Sequence, residues 1–202
     1  MSDPGKTDLF KEHKDEYRAQ EKPGLVEVGR ARYLAIEGEG APGDPRFQNA
    51  IGALYAAAYT LKMTSKAAGR DYVVSKLEAQ WWAGEDQDFQ ATSPDGWRWR
   101  AMIRTPGFIR EEQLAAAADR IASRQPDTPI RDVSLVDLDE GRCVQVLHIG
   151  SYDSEPETIA LMEEYAAASG VTMRGPHHEI YLSDPRRVEP ERLRTILRCP
   201  VS

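Results

Sequence analysis

The stretch Gly175-Pro-His-His-Glu-Ile-Tyr-Leu-Ser-Asp-Pro-Arg-Arg187 holds a histidine pair, a carboxylate and a phenol within five residues. Read as a strand, it puts His177, Glu179 and Tyr181 on one face and His178, Ile180 and Leu182 on the other. A glutamate between apolar neighbours is costly to bury without a partner. One reading is a structural ion pair to an arginine on a neighbouring strand, Arg100 or Arg194. The other is a carboxylate on the floor of a groove, where it meets a ligand cation or polarises water. Both readings stay open on residue physics alone.

A second segment, Leu77-Glu-Ala-Gln-Trp-Trp82, followed by Trp97-Arg-Trp99, contains all four tryptophans of the chain. Alternation sets Glu78, Gln80 and Trp82 against Leu77, Ala79 and Trp81, and places Trp97 and Trp99 together. Trp81 is expected in the core. At least one other indole, with Trp82 and Trp99 as candidates, is expected at a groove, where flat rings stack on flat guests and attract cations by roughly 0.5–2 kcal/mol. Tyr152, just past a strand ending near His148, is a candidate binding residue. Tyr59 is open between core and groove, Tyr55 is expected in the core, and His148 is expected to be structural. Glu78 is grouped with Glu179 as a second strand carboxylate.

Other chemistries lack their parts. There is no Gly-x-Ser-x-Gly elbow, no phosphate-cradling glycine loop and no dinucleotide fingerprint. His177 and His178 point to opposite faces and cannot chelate one ion together, so neither a metal nor another cofactor is expected. Cys143 and Cys199 read as free core thiols. The formal net charge of −7, without a Lys/Arg cluster, argues against direct nucleic-acid binding and favours cationic or neutral aromatic guests. The longest apolar run, Ala53 to Tyr59, falls far short of the roughly 20 residues of a membrane span. With no secretory signal visible at the N-terminus, a cytoplasmic monomer is expected.

The elements that would position these residues form a repeated pattern. Residues 1–22 are dense in charge and are expected to be a partly disordered leader, frayed or docked on the surface. A strand follows from Leu25 to Glu37. Asp44 caps a helix whose Phe47, Ala50, Ile51, Leu54, Tyr55 and Ala58 fall on one face. Strands are expected at 71–82 and 97–105, joined by a polar loop that ends in Ser93-Pro94-Asp95-Gly96. A connecting helix at 111–124 leads to a second set: strands at 133–138 and 143–149, a helix begun by a Ser154/Glu157 capping box and ended by Gly170, and strands at 178–182 and 195–201. Arg100-Ala-Met-Ile-Arg-Thr-Pro106 matches Arg194-Thr-Ile-Leu-Arg-Cys-Pro200, so duplication explains the order. The expected fold is α+β: two pseudo-symmetric strand-helix-strand-strand modules, about 23–106 and 107–202, with mainly antiparallel sheets. Each sheet would carry helices on one face, and the bare faces would meet around a central ligand groove.

Four segments together, His178-Glu-Ile-Tyr-Leu-Ser-Asp-Pro-Arg-Arg187, Leu77–Trp82, Val144-Gln-Val-Leu-His-Ile-Gly-Ser-Tyr152 and Thr195-Ile-Leu-Arg-Cys-Pro-Val201, resemble the stand-alone GyrI-like proteins. These are similar to the effector-binding domains of multidrug-responsive activators and to the gyrase-inhibitor protein. The resemblance runs from about Gly24 to the C-terminus and implies the two-module fold. It also implies a groove glutamate at Glu179 that meets cationic or aromatic drugs. A subset of the family hydrolyses the strained cyclopropane of yatakemycin-type alkylators, which would make Glu179 and Tyr152 catalytic, with Trp82 beside them. A third implied function is inhibition of a protein partner of the gyrase type.

Overall fold

The computed structural model describes residues 5–84 and 92–202; the polar loop expected after Trp82 lies partly outside them. Among these described residues there are eight strands: β1 (Gly24–Val28), β2 (Ala31–Glu39), β3 (Leu77–Trp82), β4 (Arg98–Arg104), β5 (Ser134–Leu138), β6 (Gly141–Ile149), β7 (His177–Tyr181) and β8 (Arg194–Pro200). Four helices accompany them: α1 (Leu9–Glu12), α2 (Pro45–Ala67), α3 (Glu111–Ala122) and α4 (Glu155–Ala168). The α+β class and the duplicated order hold, but the assembly differs from two facing sheets. All eight strands join in one antiparallel sheet ordered β1-β6-β8-β7-β3-β4-β2-β5. Exchanging the first four strands for the last four reverses that order into itself, so the pseudo-twofold runs through the β3–β7 pair.

The expected strand from Leu25 to Glu37 is two strands. β1 leaves its own module to pair with β6, while β5 crosses in return to pair with β2. Residues 71–76, expected as strand, precede β3; there Thr7 bridges Tyr72 instead.

One face of the sheet carries the large helices. Asp44 caps α2 by accepting from the Arg46 N–H at 2.7 Å, with Pro45 in the first turn. Phe47, Leu54 and Leu61 of α2 and Leu114 and Ile121 of α3 pack on Leu34, Ile36, Trp81, Trp99 and Ile103, each large side chain contributing about 1.5–3 kcal/mol by leaving water. Trp99 is 2% exposed and lies so close to β2 that a Cβ on Gly38 would stand 2.3 Å from its ring. On the same face α4 packs Ile159, Met162 and Ala166 against Val144, Val146 and Leu197. The Ser154/Glu157 capping box is not formed. The Ser154 hydroxyl donates to Ser151 O in a preceding 3-10 turn, Tyr152–Ser154. Gly170, at φ +69°, follows the helix as expected.

The other face is covered by the N-terminal segment, which docks. Tyr17 is buried with Leu147, Ile180 and Ile196, and Phe10 stacks on it at 4.8 Å. The duplicated arginines serve this docking: Arg104 pairs with the Glu16 carboxylate, Arg198 donates to Glu16 O, and both lie over the Tyr17 ring. Among the described residues no helix is long and apolar enough to cross a membrane.

Candidate functional site

Between α2, which packs on β2 and β4, and α4, which packs on β6, lie the central strands β3, β7 and β8, the place on the helix-bearing face where the groove is expected. Register decides which side chains stand there. Glu179 lies opposite Ala79 and Leu197, and His177 opposite Trp81, so Glu179, His177, Tyr181 and Trp81 share the groove face. Glu155, in the first turn of α4, comes down on the same spot. One ligand atom each from Glu155, His177 and Glu179 lie within 4.8 Å of one another, and all three residues are at least nine-tenths buried.

Neither arginine proposed as a partner reaches Glu179. Arg100 pairs with Glu37 at 2.7 Å on the opposite face. The contacts of Glu179 are the Tyr181 hydroxyl, the Trp81 indole and His177, whose Nε2 lies 3.6 Å from Oε1. The Trp81 indole N–H also points to the Tyr181 hydroxyl, at 3.4 Å. Burial pushes the Glu179 carboxyl up to about 7, against the stabilising pull of Tyr181, His178 and Trp81 on its charged form. Burial, then the neighbouring Glu179, pushes Glu155 up to about 10, and its Oε1 has no hydrogen-bond partner among the described residues. Burial, then the charge of His178, lowers His177 to about 4, leaving a neutral imidazole at neutral pH.

Phenols form the rim. Tyr152, 39% exposed, meets Tyr181 edge to face at 6.0 Å. It is pushed up to about 12 by burial, then by Glu179, Glu155 and Asp184. Tyr55 and Tyr59 stack at 6.2 Å on α2, with Tyr59 54% exposed. Tyr55, like Tyr152, also feels Asp184, in the β7–β8 connection. The turn that presents Tyr152 is braced by His148, whose Nδ1 accepts from the Thr158 hydroxyl at 2.8 Å and whose Nε2–H donates to Ser151 O at 3.0 Å. Gly150 between them has φ +151°, and a Cβ there would stand 2.9 Å from Ser154 Oγ.

Three expected site residues are elsewhere. Trp82 points to the opposite face, where Arg100 lies 5.9 Å above its ring; Trp81 is in the core, as expected, with only its indole N–H turned toward Tyr181. Trp99 is core beneath α2, edge to face with Phe47 at 5.0 Å. Glu78 is buried on the reverse face, accepting from the Tyr17 hydroxyl at 2.8 Å and facing His178 Nε2 at 3.1 Å. The pairing of Glu78 with Glu179 fails by one residue. Ala101 matches Thr195 in the repeat and pairs with Ala79, whereas Thr195 pairs with Tyr181. Glu78 thus corresponds to Ile180 and Leu77 to Glu179, and a one-residue slip exchanges faces.

Glu155 escaped the sequence reading because an acid in a first helical turn is ordinary on a solvated surface. The signal available was its position three residues after Tyr152. The expectation of no metal rested on the His177–His178 pair; the set present is His177 with two carboxylates, a combination able to hold a cation.

No curated protein matches the chain. Among solved structures, an uncharacterized conserved protein from Listeria innocua is 37% identical, with a TM-score of 0.90, over 98% of this chain and all of the other. A hydrolase from Listeria innocua is 38% identical, with a TM-score of 0.88 and the same coverage. The EcmrR C-terminal domain shares the fold at 9% identity and a TM-score of 0.62, over 90% of this chain and 97% of that one. Residues 22–202 match the GyrI-like small molecule binding domain, and the chain belongs to that family.

Proposed function

We propose that the groove binds small, mainly hydrophobic organic cations with an aromatic surface, Tyr55, Tyr59 and Tyr152 supplying flat apolar contact and the Glu155–Glu179 pair supplying the negative charge. The observation that carries this reading is a pair of buried carboxylates among aromatic rings. No lysine or arginine among the described residues forms an ion pair with either. Buried charge of one sign without a protein partner is costly, and a guest cation offsets that cost while its rings replace water along the rim. Titration with N-methylquinolinium and its neutral isostere 1-methylnaphthalene, followed by tryptophan fluorescence, tests it. Native protein should prefer the cation by at least about tenfold, about 1.4 kcal/mol, and the Glu155→Gln/Glu179→Gln double variant should lose the preference. Equal affinity of native protein for both compounds would refute the electrostatic role.

A second reading is hydrolysis of a strained cyclopropane, favoured by relatives 37–38% identical that are described as hydrolases. Glu179 as carboxylate takes a proton from water while the water oxygen bonds to a ring carbon. The carbon–carbon bond breaks, and its electron pair flows to a conjugated carbonyl that becomes a phenolate. Tyr152 donates a hydrogen bond to that oxygen. A positioned base supplies about 10²–10⁴-fold, with ring strain supplying the rest. Incubation with a cyclopropane-bearing alkylator and mass spectrometry for the added water decides it; an unchanged substrate mass rules turnover out.

A further inference from the structure

The two faces of β7 arrange carboxylates around a histidine differently. Behind the groove, Glu78 lies 3.1 Å from His178 Nε2 and Glu140 lies 2.9 Å from Nδ1, while Arg198 meets Glu140 at 3.1 Å. Those carboxylates sit on different ring nitrogens, each with a basic partner, and converge on no common point. In the groove the donors do converge. His177 and Glu179 are two residues apart on β7 and face the same way, and Glu155 descends from the first turn of α4. One ligand atom from each lies within 4.8 Å of the other two, with His177 Nε2 3.6 Å from Glu179 Oε1. Glu155 is 7% exposed, and its Oε1 has no hydrogen-bond partner among the described residues. A buried carboxylate oxygen left that way is costly and calls for a ligand. Glu179 is held from behind by the Tyr181 hydroxyl and the Trp81 indole, outer contacts of the kind that orient a ligating carboxylate.

We propose that Glu155, His177 and Glu179 form a Zn²⁺ site on the groove floor, with a fourth coordination position open toward Tyr152. Donors in a tetrahedral zinc shell, with bonds of about 2.0–2.2 Å, stand about 3.4 Å apart. The His177–Glu179 pair is already close to that spacing, and the flexible Glu155 side chain has only a small approach to make. One imidazole with two carboxylates suits zinc. Ca²⁺ takes six to eight oxygens and Mg²⁺ a near-octahedral oxygen shell, more than three donors among aromatic rings provide. Two carboxylates and a divalent ion sum to zero charge, so the ion offsets the buried charge without a lysine or arginine.

Three protein ligands leave one position for water or a guest, as in zinc centres that bind or activate small molecules. Tyr152, 39% exposed and within the field of both carboxylates, marks the open side. The guest class this adds is a flat molecule with a neutral or anionic oxygen or nitrogen donor, held by that atom on the metal and by its rings on the phenols. The site stands independently of the cation-binding reading. Zn²⁺ and an organic cation are alternative occupants, because the metal neutralises the carboxylates that attract the cation.

Calorimetry of untagged, EDTA-treated native protein with ZnCl₂ tests the site. One ion per chain should bind, and about a hundredfold excess of Mg²⁺ or Ca²⁺ should not displace it. Co²⁺ in its place should give the strong visible absorption of a four-coordinate centre. Glu155→Gln, which keeps the size of the side chain, and His177→Ala should each weaken Zn²⁺ by more than about 100-fold, and Tyr181→Phe, which keeps all three ligands, by about 10-fold. His13→Ala, at the 40% exposed histidine beside Glu16, should leave the affinity unchanged. No Zn²⁺ uptake by native protein, uptake that survives Glu155→Gln, or uptake lost in His13→Ala would overturn the site. Competition separates the two readings of the groove. Saturating Zn²⁺ should weaken N-methylquinolinium by at least about tenfold, and quinolinium binding unchanged by the metal would overturn its placement on these carboxylates. Native protein that takes up Zn²⁺ but no quinolinium would support the metal site and refute the cation reading instead.

Discussion

Replacing His178 by glutamine removes the imidazolium that stands between Glu78 and Glu140, and its effect on stability as a function of pH follows from the structure. His178 is fully buried. Burial opposes its charge, but Glu140 and Glu78 on either side outweigh that and raise it from 6.5 to about 9. A histidine raised on folding contributes stability that is fully present below about pH 6.5 and is lost as pH rises through about 9. The 2.5-unit difference between those values amounts to on the order of 3 kcal/mol. Within that window the group makes stability fall by about 1.4 kcal/mol per pH unit. Glu155 acts in the same direction: burial raises it from 4.5 to about 10, so its contribution also declines as pH rises. His177, lowered on folding, pulls the other way only below about pH 6.5. Urea unfolding of the native protein between pH 7 and 9 should show a clear decline. His178→Gln should lower stability by about 3–5 kcal/mol at pH 7, because it leaves buried carboxylates without their cation, and should flatten the decline by about one proton. Adding Glu155→Gln should flatten most of the remainder. A native curve level from pH 7 to 9, or a His178→Gln curve parallel to it, would refute the assignment of a charged His178 to the reverse face.

Trp82→Ala should leave affinity for N-methylquinolinium within about twofold, whereas Trp81→Phe, which removes the indole beside Glu179, should weaken it by about 3- to 10-fold, about 0.6–1.4 kcal/mol; fluorescence titration of the two variants compares the faces directly. Gly38→Ala places a methyl against Trp99 at a distance no side chain tolerates, so thermal unfolding should show a loss of about 1–3 kcal/mol.

The helices and most strands were legible because their signals are local: Asp44-Pro45 followed by apolar residues at helical spacing gives α2, and the duplicated Arg-x-x-x-Arg-x-Pro gives β4 and β8. Alternation along β7 correctly grouped His177, Glu179 and Tyr181. What stayed hidden were the relations between distant segments. Nothing in residues 24–28 announces that β1 pairs with β6 instead of with its own module. Nothing in residues 77–82 says which face the helices cover, so Trp82 was assigned to the wrong side of the sheet while Trp81 was placed correctly in the core. The docking of residues 5–20 was legible only as an alternative to fraying, since Tyr17 and Phe10 are two aromatics in a charged segment. Glu155 was missed because its importance comes from the descent of α4 onto β7, a tertiary contact with no local pattern.

The duplication also explains why, among the described residues, the candidate site lies in one half and has no counterpart in the other. At positions related by the pseudo-twofold, the first half has Leu77 and Ala79 where the second has Glu179 and Tyr181. Above Leu77 and Ala79 runs α2, 23 residues long, whose apolar face covers that part of the sheet. Its counterpart α4 has 14 residues and begins only after the turn carrying Tyr152, so the strand beneath its first turn meets Glu155 and a phenol in place of a packed helix face. Polar residues on the floor of the first half would be buried under α2 without partners, at a cost of about 1–3 kcal/mol each. Apolar residues on the floor of the second would leave Glu155 without its neighbour. The scaffold is symmetric because β3 and β7 must pair across the axis; the chemistry is asymmetric because one helix is long enough to close its half and the other is not.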